Sequence, residues 1–499
     1  MAGEAKSSTV ELLYTTLEGD ETSLARAALA PLRAGVRGGV LTAEDAGYDD
    51  ARHIWNAMID HRPAVIARCL SSHDVRNAVR FARDTQMRLS VRGGGHHIAG
   101  NAMADGGLTI DLSPMRVVRV DAERRTVRVA GGALLGDVDH ETQAFGLATP
   151  LGINSTTGFA GLCLGGGFGW LTRKYGMTID NLISADVVTA DGALRVVSAS
   201  SDPDLFWAIR GGGGNFGIVT SFEMALHPVG PLVHSGLVVY PGAQAREVLE
   251  RWRDFTEAAP DELTVWTVLR KAPPLPFLPP DVHGTDVLVL AVAYAGDAAE
   301  GARVAAPLAT LGQPIAAVLQ PQPYEAWQQA FDPLLTPGAR NYWKTSDFAE
   351  LEDGALDVFI DAARAIPGPE CEVFIAQLGG AMGRVAPDAT AYPGRDAQYI
   401  MNVHGRWRSP SDDAAVRSWA RNVFTQAAPF ATGGGYVNFL TEDESPRVAS
   451  AYGTNYERLR EVKQRIDPDN LFRMNHNIPP STKARVSPSG RAQRVRAGA

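Results

Sequence analysis

Cysteine is scarce in this chain: Cys69, Cys163 and Cys371 are the only three in 499 residues. They are far apart, odd in number and form no CxxC pair, which indicates neither a disulfide framework nor a zinc site; reduced thiols and no metal are expected. Basic charge is also in deficit. The 47 Lys and Arg residues face 56 Asp and Glu, a formal net charge of −9. That balance argues against nucleic acid as a partner, since such binding leaves a basic footprint. Long apolar runs are missing as well: nothing approaches the roughly 18 to 20 residues of a membrane span. Residues 1–20 lack a basic region followed by an apolar core, so a cytoplasmic protein without a membrane partner is expected. Asn154-Ser155-Thr156 fits a glycosylation sequon, but with no secretory signal it reads as accidental.

The chain is rich in glycine, with 51 residues, against an ordinary soluble background of 45% hydrophobic and 21% charged residues. Its length favours two or three domains. Glycine gathers in three clusters in the first half, at 93–95, 152–169 and 211–217. The first interrupts an extended apolar run, Leu-Ser-Val-Arg-Gly-Gly-Gly-His-His at 89–97. Glycine admits positive φ and close approach, so such a turn can aim its amides at an anion. Arg92 adds charge to that mouth and His96 a nucleophilic imidazole. The third cluster satisfies GxGxxG but runs into the β-branched residues 218–220 instead of a helix, which excludes a Rossmann fingerprint. Three loops among short strands better suit one long cofactor lying across a β-rich region.

Periodicity places strands at 64–67, 89–91, 108–112, 117–120, 126–130 and 218–224, and helices at 75–85 and 134–144. A hairpin at 185–197 turns on Asp191-Gly192. Residues 1–33 read as a peripheral helix or partly ordered leader. Beyond about residue 230 glycine thins, 273–280 is a proline-rich loop, and a charged helix is expected over 452–466. The tail from Ser481 is expected to be disordered.

The motifs Arg92-Gly-Gly-Gly-His96-His97, Gly158-Phe-Ala-Gly161-Leu-Cys-Leu-Gly165-Gly-Gly-Phe-Gly169, Asp180-Asn181, the run from Asp204 to Gly217, and Asn475-His-Asn477 together resemble the FAD-linked oxidases of the berberine-bridge-enzyme type. The likeness runs from about residue 45 to 480. Members that look similar include bacterial oxidases of secondary metabolism and of 6-hydroxynicotine. The resemblance implies an α+β fold of the vanillyl-alcohol-oxidase class in two lobes. An FAD-binding domain would occupy 45–230 and a substrate domain with a helix-covered antiparallel sheet 231–440. Residues 441–480 would return to the FAD domain, and 481–499 would be the tail.

It further implies FAD held covalently at one point, His96. Around it would lie Arg92, Gly93, Gly94, Gly95, His97, Gly100 and Asn101, then Asp111, Leu112 and Gly131. The second loop would contribute Gly152, Thr157, Gly158, Gly161, Leu162, Gly166 and Gly169. Asn215, Gly217, Ile218 and Val219 would follow from the third, with Asn475 and Asn477 from the C-terminal segment. A second, cysteine anchor found in many relatives would fall near Ile153; Cys163 sits only two residues before a glycine triplet and reads as a small buried thiol. His97 is expected to be packed or hydrogen-bonded.

Oxidation by a flavin also needs a base for the substrate proton. Tyr436-Val437-Asn438 alternates as a strand would, putting Tyr436 and Asn438 on one face, and similar segments in relatives face the flavin. Tyr436 is the expected base, beside the cofactor. Lys344, in the segment 341–345, is expected to orient a substrate oxygen or lower a phenol pKa, and His404 reads as structural. The expected partners are a small organic substrate and O2. The alternatives are a flavin-dependent monooxygenase or dual oxidase, and a non-catalytic flavoprotein sequestering a drug. The sequence leaves the substrate and the oligomeric state open.

Overall fold

A computed structural model describes residues 11–482. Residues 1–10 and 483–499, which include nearly all of the expected tail, lie outside the described residues. Near the N-terminus Val65–Arg68 and Leu89–Arg92 both pair in parallel with Leu108–Asp111. Parallel neighbours need a crossover, and the helix Ser72–Thr85 is part of it. Ser71 caps that helix by accepting from the Asp74 N–H, and Val75, Ala78, Val79 and Ala82 form its buried face. A five-stranded antiparallel sheet follows, in the order Leu194–Ser198, Leu182–Val188, Ile218–Ala225, Thr126–Ala130, Val118–Asp121.

One expectation fails at the start of the chain. Glu11–Thr15 and Glu21–Ala25 form an antiparallel hairpin, where a helix or loose leader was expected. The cause is tertiary: the Thr15 N–H donates to the Gly106 carbonyl and the Arg88 N–H to the Thr15 carbonyl, so neighbouring backbone recruits the segment.

From Leu232 to Trp407 the chain builds a seven-stranded antiparallel sheet. Its order is Ala316–Pro323, Leu232–Pro241, Asp286–Tyr294, Leu263–Lys271, Glu372–Gln377, Tyr399–Trp407, Arg340–Phe348. Alternation divides its side chains. Val265, Leu269, Val373 and Val403 pack with Trp252, Phe359 and Trp419 from the helices Ala245–Glu257, Asp353–Arg364 and Asp413–Ala427. The opposite face looks into a cavity shared with the glycine loops.

Two buried ionic contacts hold the parts together. The Arg395 guanidinium forks onto the Asp180 carboxylate at 2.7 and 2.8 Å, tying the segment before Tyr399–Trp407 to the segment before Leu182–Val188. The ammonium of Lys463, on the helix Tyr456–Ile466, donates to Asp467 at 2.6 Å, the Asn215 carbonyl at 2.8 Å and the Phe472 carbonyl at 3.0 Å. Among the described residues no helix is long and apolar enough to cross a membrane.

Lys463 and Asp467 are both fully buried, and removing one partner of such a pair leaves an uncompensated charge. Lys463→Met is expected to lower the unfolding free energy by about 3–5 kcal/mol. Urea unfolding of the purified protein measures this, and a loss well under 1 kcal/mol refutes the latch.

Candidate active site

The cavity floor depends on backbone contact between the first two glycine loops. A Cβ on Gly94 would lie 2.3 Å from the Gly158 nitrogen, and one on Gly158 equally close to the Gly94 nitrogen. No other residue type fits. Gly93, Gly94 and Gly95 of the first loop, Gly152, Thr157, Gly158, Gly161 and Leu162 of the second, and Gly213, Gly214, Asn215 and Gly217 of the third all line the cavity. Val91, Leu112, Gly131, Ile218 and Val219 add apolar or bare backbone wall, and Asn101, Asn475 and His476 add polar groups. The Asn215 amide donates to the Gly212 carbonyl at 3.0 Å and the His476 carbonyl at 3.1 Å, closing the third loop against the C-terminal segment.

His96 lies in this wall, its ring stacked on Trp55 with centroids 5.1 Å apart. The Thr156 hydroxyl donates to Asn154 Oδ1 at 2.6 Å, so toward His96 Nε2, 3.0 Å away, it accepts. That assigns the proton to Nε2 and leaves the lone pair on Nδ1, 3.5 Å from the Thr157 hydroxyl. Part of the ring faces the cavity, yet the surrounding heavy atoms desolvate it, and burial lowers its pKa to about 3. The ring is neutral. His97 is packed, 5.2 Å from the His476 ring, and burial lowers its pKa to about 3 as well. Its Nδ1 and His476 Nε2 are buried without a protein partner. Bare glycine amides, a long apolar trough and these unpaired donors or acceptors suit an extended, partly polar cofactor.

Tyr436 lines the same cavity. Its hydroxyl oxygen accepts from the Gly167 N–H at 2.9 Å and from Asn438 Nδ2 at 2.9 Å. Burial raises its pKa to about 12, while those two donors work in the opposite sense. The segment is not the expected strand: Val437–Phe439 is a single 3₁₀ turn. Gly165 explains the shape, since the Asn438 amide packs where a Cβ on that glycine would be. Tyr436 and Asn438 still converge, through the hydrogen bond and not through β alternation.

Several expected cofactor contacts lie elsewhere. Arg92 follows Val91 on a strand, so it points away from the cavity that Val91 lines, and its guanidinium is held by the Ala51 carbonyl. Asp111 likewise precedes Leu112; its carboxylate accepts from the Ser113 N–H and pairs with Arg68. Gly100, Gly166 and Gly169 are packing glycines outside the wall, where a Cβ would meet Ile59, Met177 and the Leu151 carbonyl. Asn477 is outside it too. Lys344 is the largest departure. Trp343 lines the cavity, so its neighbour points the other way, where the ammonium donates to Thr441 at 3.1 Å and Asp443 at 2.9 Å and lies 3.1 Å from Glu444. It pins the segment after Tyr436 and meets no cavity.

Trp55, Phe168, Glu372 and Asn402 line the cavity unforeseen; Trp343, from the segment 341–345 expected at the pocket, and His404, expected to be structural, join them. Only strand parity could have signalled the sheet residues, and parity needs the sheet.

Over residues 63–198 the chain matches the FAD binding domain family, and over 435–479 the berberine and berberine like family. It is 32% identical over 453 residues to an uncharacterized FAD-linked oxidoreductase of Bacillus subtilis, covering 89% of this chain and 97% of that one. Over 461 residues it is 31% identical to the (R)-6-hydroxynicotine oxidase of Paenarthrobacter nicotinovorans, with 89% and 97% covered. The chain belongs to the berberine-bridge-enzyme-like FAD-linked oxidoreductases. The crystal structure of 6-hydroxy-D-nicotine oxidase from Arthrobacter nicotinovorans matches the fold with a TM-score of 0.81 at 29% identity, covering 91% of this chain and 99% of that one. This flavoprotein is thus an FAD-dependent oxidoreductase with the two-lobed α+β fold, and the trough floored by the glycine loops fits its FAD.

Cys163 is fully buried, outside the cavity wall, and burial pushes its thiol pKa well above the usual range. Cys69 and Cys371 are equally buried. A thiol reagent is expected to find no fast-reacting cysteine in the native protein and three after denaturation; rapid native labelling at Cys163 contradicts its assignment as an inert core residue.

Proposed function

We propose that this flavoprotein is an oxidase of an alcohol or amine carbon, with FAD tethered through His96 alone and O2 as the electron acceptor, yielding H2O2. The observation that carries the reading is the Tyr436 hydroxyl, held by two hydrogen-bond donors in the same cavity as His96. The bound flavin supplies the acceptor for a hydride and returns the electron pair to O2. Tyr436 takes the proton of the substrate hydroxyl or amine. The Gly167 N–H and the Asn438 amide stabilise the phenolate that acts as base, while burial keeps the resting phenol protonated, ready to orient the substrate oxygen. Gly167 belongs to the second glycine loop, so the base and the cofactor floor are positioned by one segment. His96 Nδ1, whose lone pair meets only the long contact from the Thr157 hydroxyl, is the tethering atom. The names of the 6-hydroxynicotine oxidase relatives support the oxidase outcome.

Two outcomes are expected. Acid precipitation leaves the yellow colour in the pellet, peptide mapping puts the flavin mass on the peptide carrying His96, and His96→Ala releases flavin to the supernatant. Colour in the wild-type supernatant sinks the tether. Because the phenolate fraction grows tenfold per pH unit below a pKa of about 12, the anaerobic rate of flavin reduction is expected to climb between about pH 7 and pH 10 without a plateau. Tyr436→Phe is expected to flatten that profile and slow reduction by about 10²-fold or more. An unchanged profile in stopped-flow measurements removes Tyr436 from the role of base.

A further inference from the structure

The strand register orders the cavity face of the seven-stranded sheet into rows. One row runs Leu237, Ala291, Trp266 across paired strands, and the next Val239, Val289, Val268, Phe374, Asn402. The third runs Val287, Arg270, Glu372, His404, Trp343. All of these side chains line the cavity. Trp266 is near the reacting end, since its ring lies 5.8 Å from Phe168, which is 4.9 Å from Tyr436. At Arg270 the third row is four residues further along Leu263–Lys271, about 13 Å away at strand rise, and at its other end Trp343 lies 5.9 Å from Trp55, the ring stacked on His96. Between the first and third rows the wall is valine and phenylalanine, with Asn402 at one end of the row. Across the cavity Phe439 packs 4.9 Å from Tyr436 and 5.3 Å from Trp343, and Trp343 4.6 Å from His404, so aromatic rings line this path too.

The charges of the far row are already matched. Arg270 donates to Glu372 at 2.7 Å, and Glu372 lies 3.4 Å from His404 Nδ1. Burial pushes the Glu372 carboxyl up, but Arg270 and His404 outweigh it, and the group stays ionised. Among the side chains of these three rows two atoms remain unsatisfied: Asn402 Oδ1, an acceptor on a residue only 3% exposed, and Trp343 Nε1, a donor. They sit in adjacent rows on two paired strands, Asn402 two residues before His404 and Trp343 directly opposite His404. A buried group left unpaired is costly, and a hydroxyl, which donates and accepts at one atom, is complementary to this acceptor and this donor.

Resting on the oxidase reading, we propose that the substrate is a fused-ring aromatic whose end remote from the reacting carbon carries a hydroxyl, received by Asn402 and Trp343. Aromatic edges and faces along the path suit a planar guest. An oligosaccharide does not fit, because each hydroxyl it buried against Val239, Val268, Val289 and Phe374 would lose its partners. The Asn402 and Trp343 pair determines specificity and takes no part in the chemistry.

The test titrates the flavin-loaded protein with 2-naphthol, naphthalene and xylobiose and follows the flavin difference spectrum, which reads binding without turnover. The expected result is a Kd for 2-naphthol about tenfold below that for naphthalene, with no saturable signal from xylobiose. Asn402→Leu is expected to bring the ratio of the two aromatic Kd values close to one. Trp343→Phe, which keeps a ring and removes the N–H, is expected to do the same and serves if the first variant loses its flavin. A wild-type ratio near one, a ratio unchanged in the flavin-bearing variants, or xylobiose binding as tightly as 2-naphthol overturns the proposal. Failure of the oxidase reading looks different: ligands bind as described, yet no bound alcohol or amine reduces the flavin anaerobically.

Discussion

The contact of Gly94 with Gly158 is the constraint on which the site depends. Two loops separated by more than sixty residues touch backbone to backbone, with no room for a Cβ on either side. Their contact brings Thr156 and Thr157 to the His96 ring and fixes which nitrogen keeps its proton. Burial then holds the imidazole neutral. The neutral state of the His96 ring therefore comes from the packing around the glycine contact, since a free histidine would be partly protonated near neutral pH.

The second loop also reaches Tyr436. Gly167 donates to Tyr436, and Gly165 makes room for the Asn438 amide that donates to the same oxygen. The C-terminal return that carries Tyr436 is secured from behind by Lys344 with Thr441 and Asp443, and further on by Lys463 with Asn215 and Asp467. These ammonium groups are costly to bury unless paired. Lys344 reaches Thr441 and Asp443 about a hundred residues on, and Lys463, paired locally with Asp467, reaches back to the Asn215 carbonyl, so they hold the segment after Tyr436 and close the third glycine loop. Lys344 thus acts on Tyr436 through the segment it holds and not through a substrate.

Residue patterns made much of the cofactor side legible. The glycine clusters, the helix start at Ser71 and the alternation of the strand Thr126–Ala130 are local signals, and the backbone follows them. Where the reading failed, a neighbour in space had overruled the local pattern. The hairpin at Glu11–Thr15 forms because Gly106 and Arg88 offer it hydrogen bonds. The turn at Val437–Phe439 forms where Asn438 packs against Gly165. The substrate side was the least legible, because its wall is assembled from Trp266, Phe374, Asn402 and Trp343 on four strands.

By itself the sequence determined that three glycine loops would carry a long cofactor, that His96 would close the first of them, and that the thiols had no framework to build. Those properties follow from residue chemistry and short-range spacing. Only the tertiary structure decided which member of each neighbouring pair looks into the cavity: Val91 and not Arg92, Leu112 and not Asp111, Trp343 and not Lys344. Along a strand successive side chains take opposite faces, and which face is the cavity is set by the partner strands and loops that fold against it.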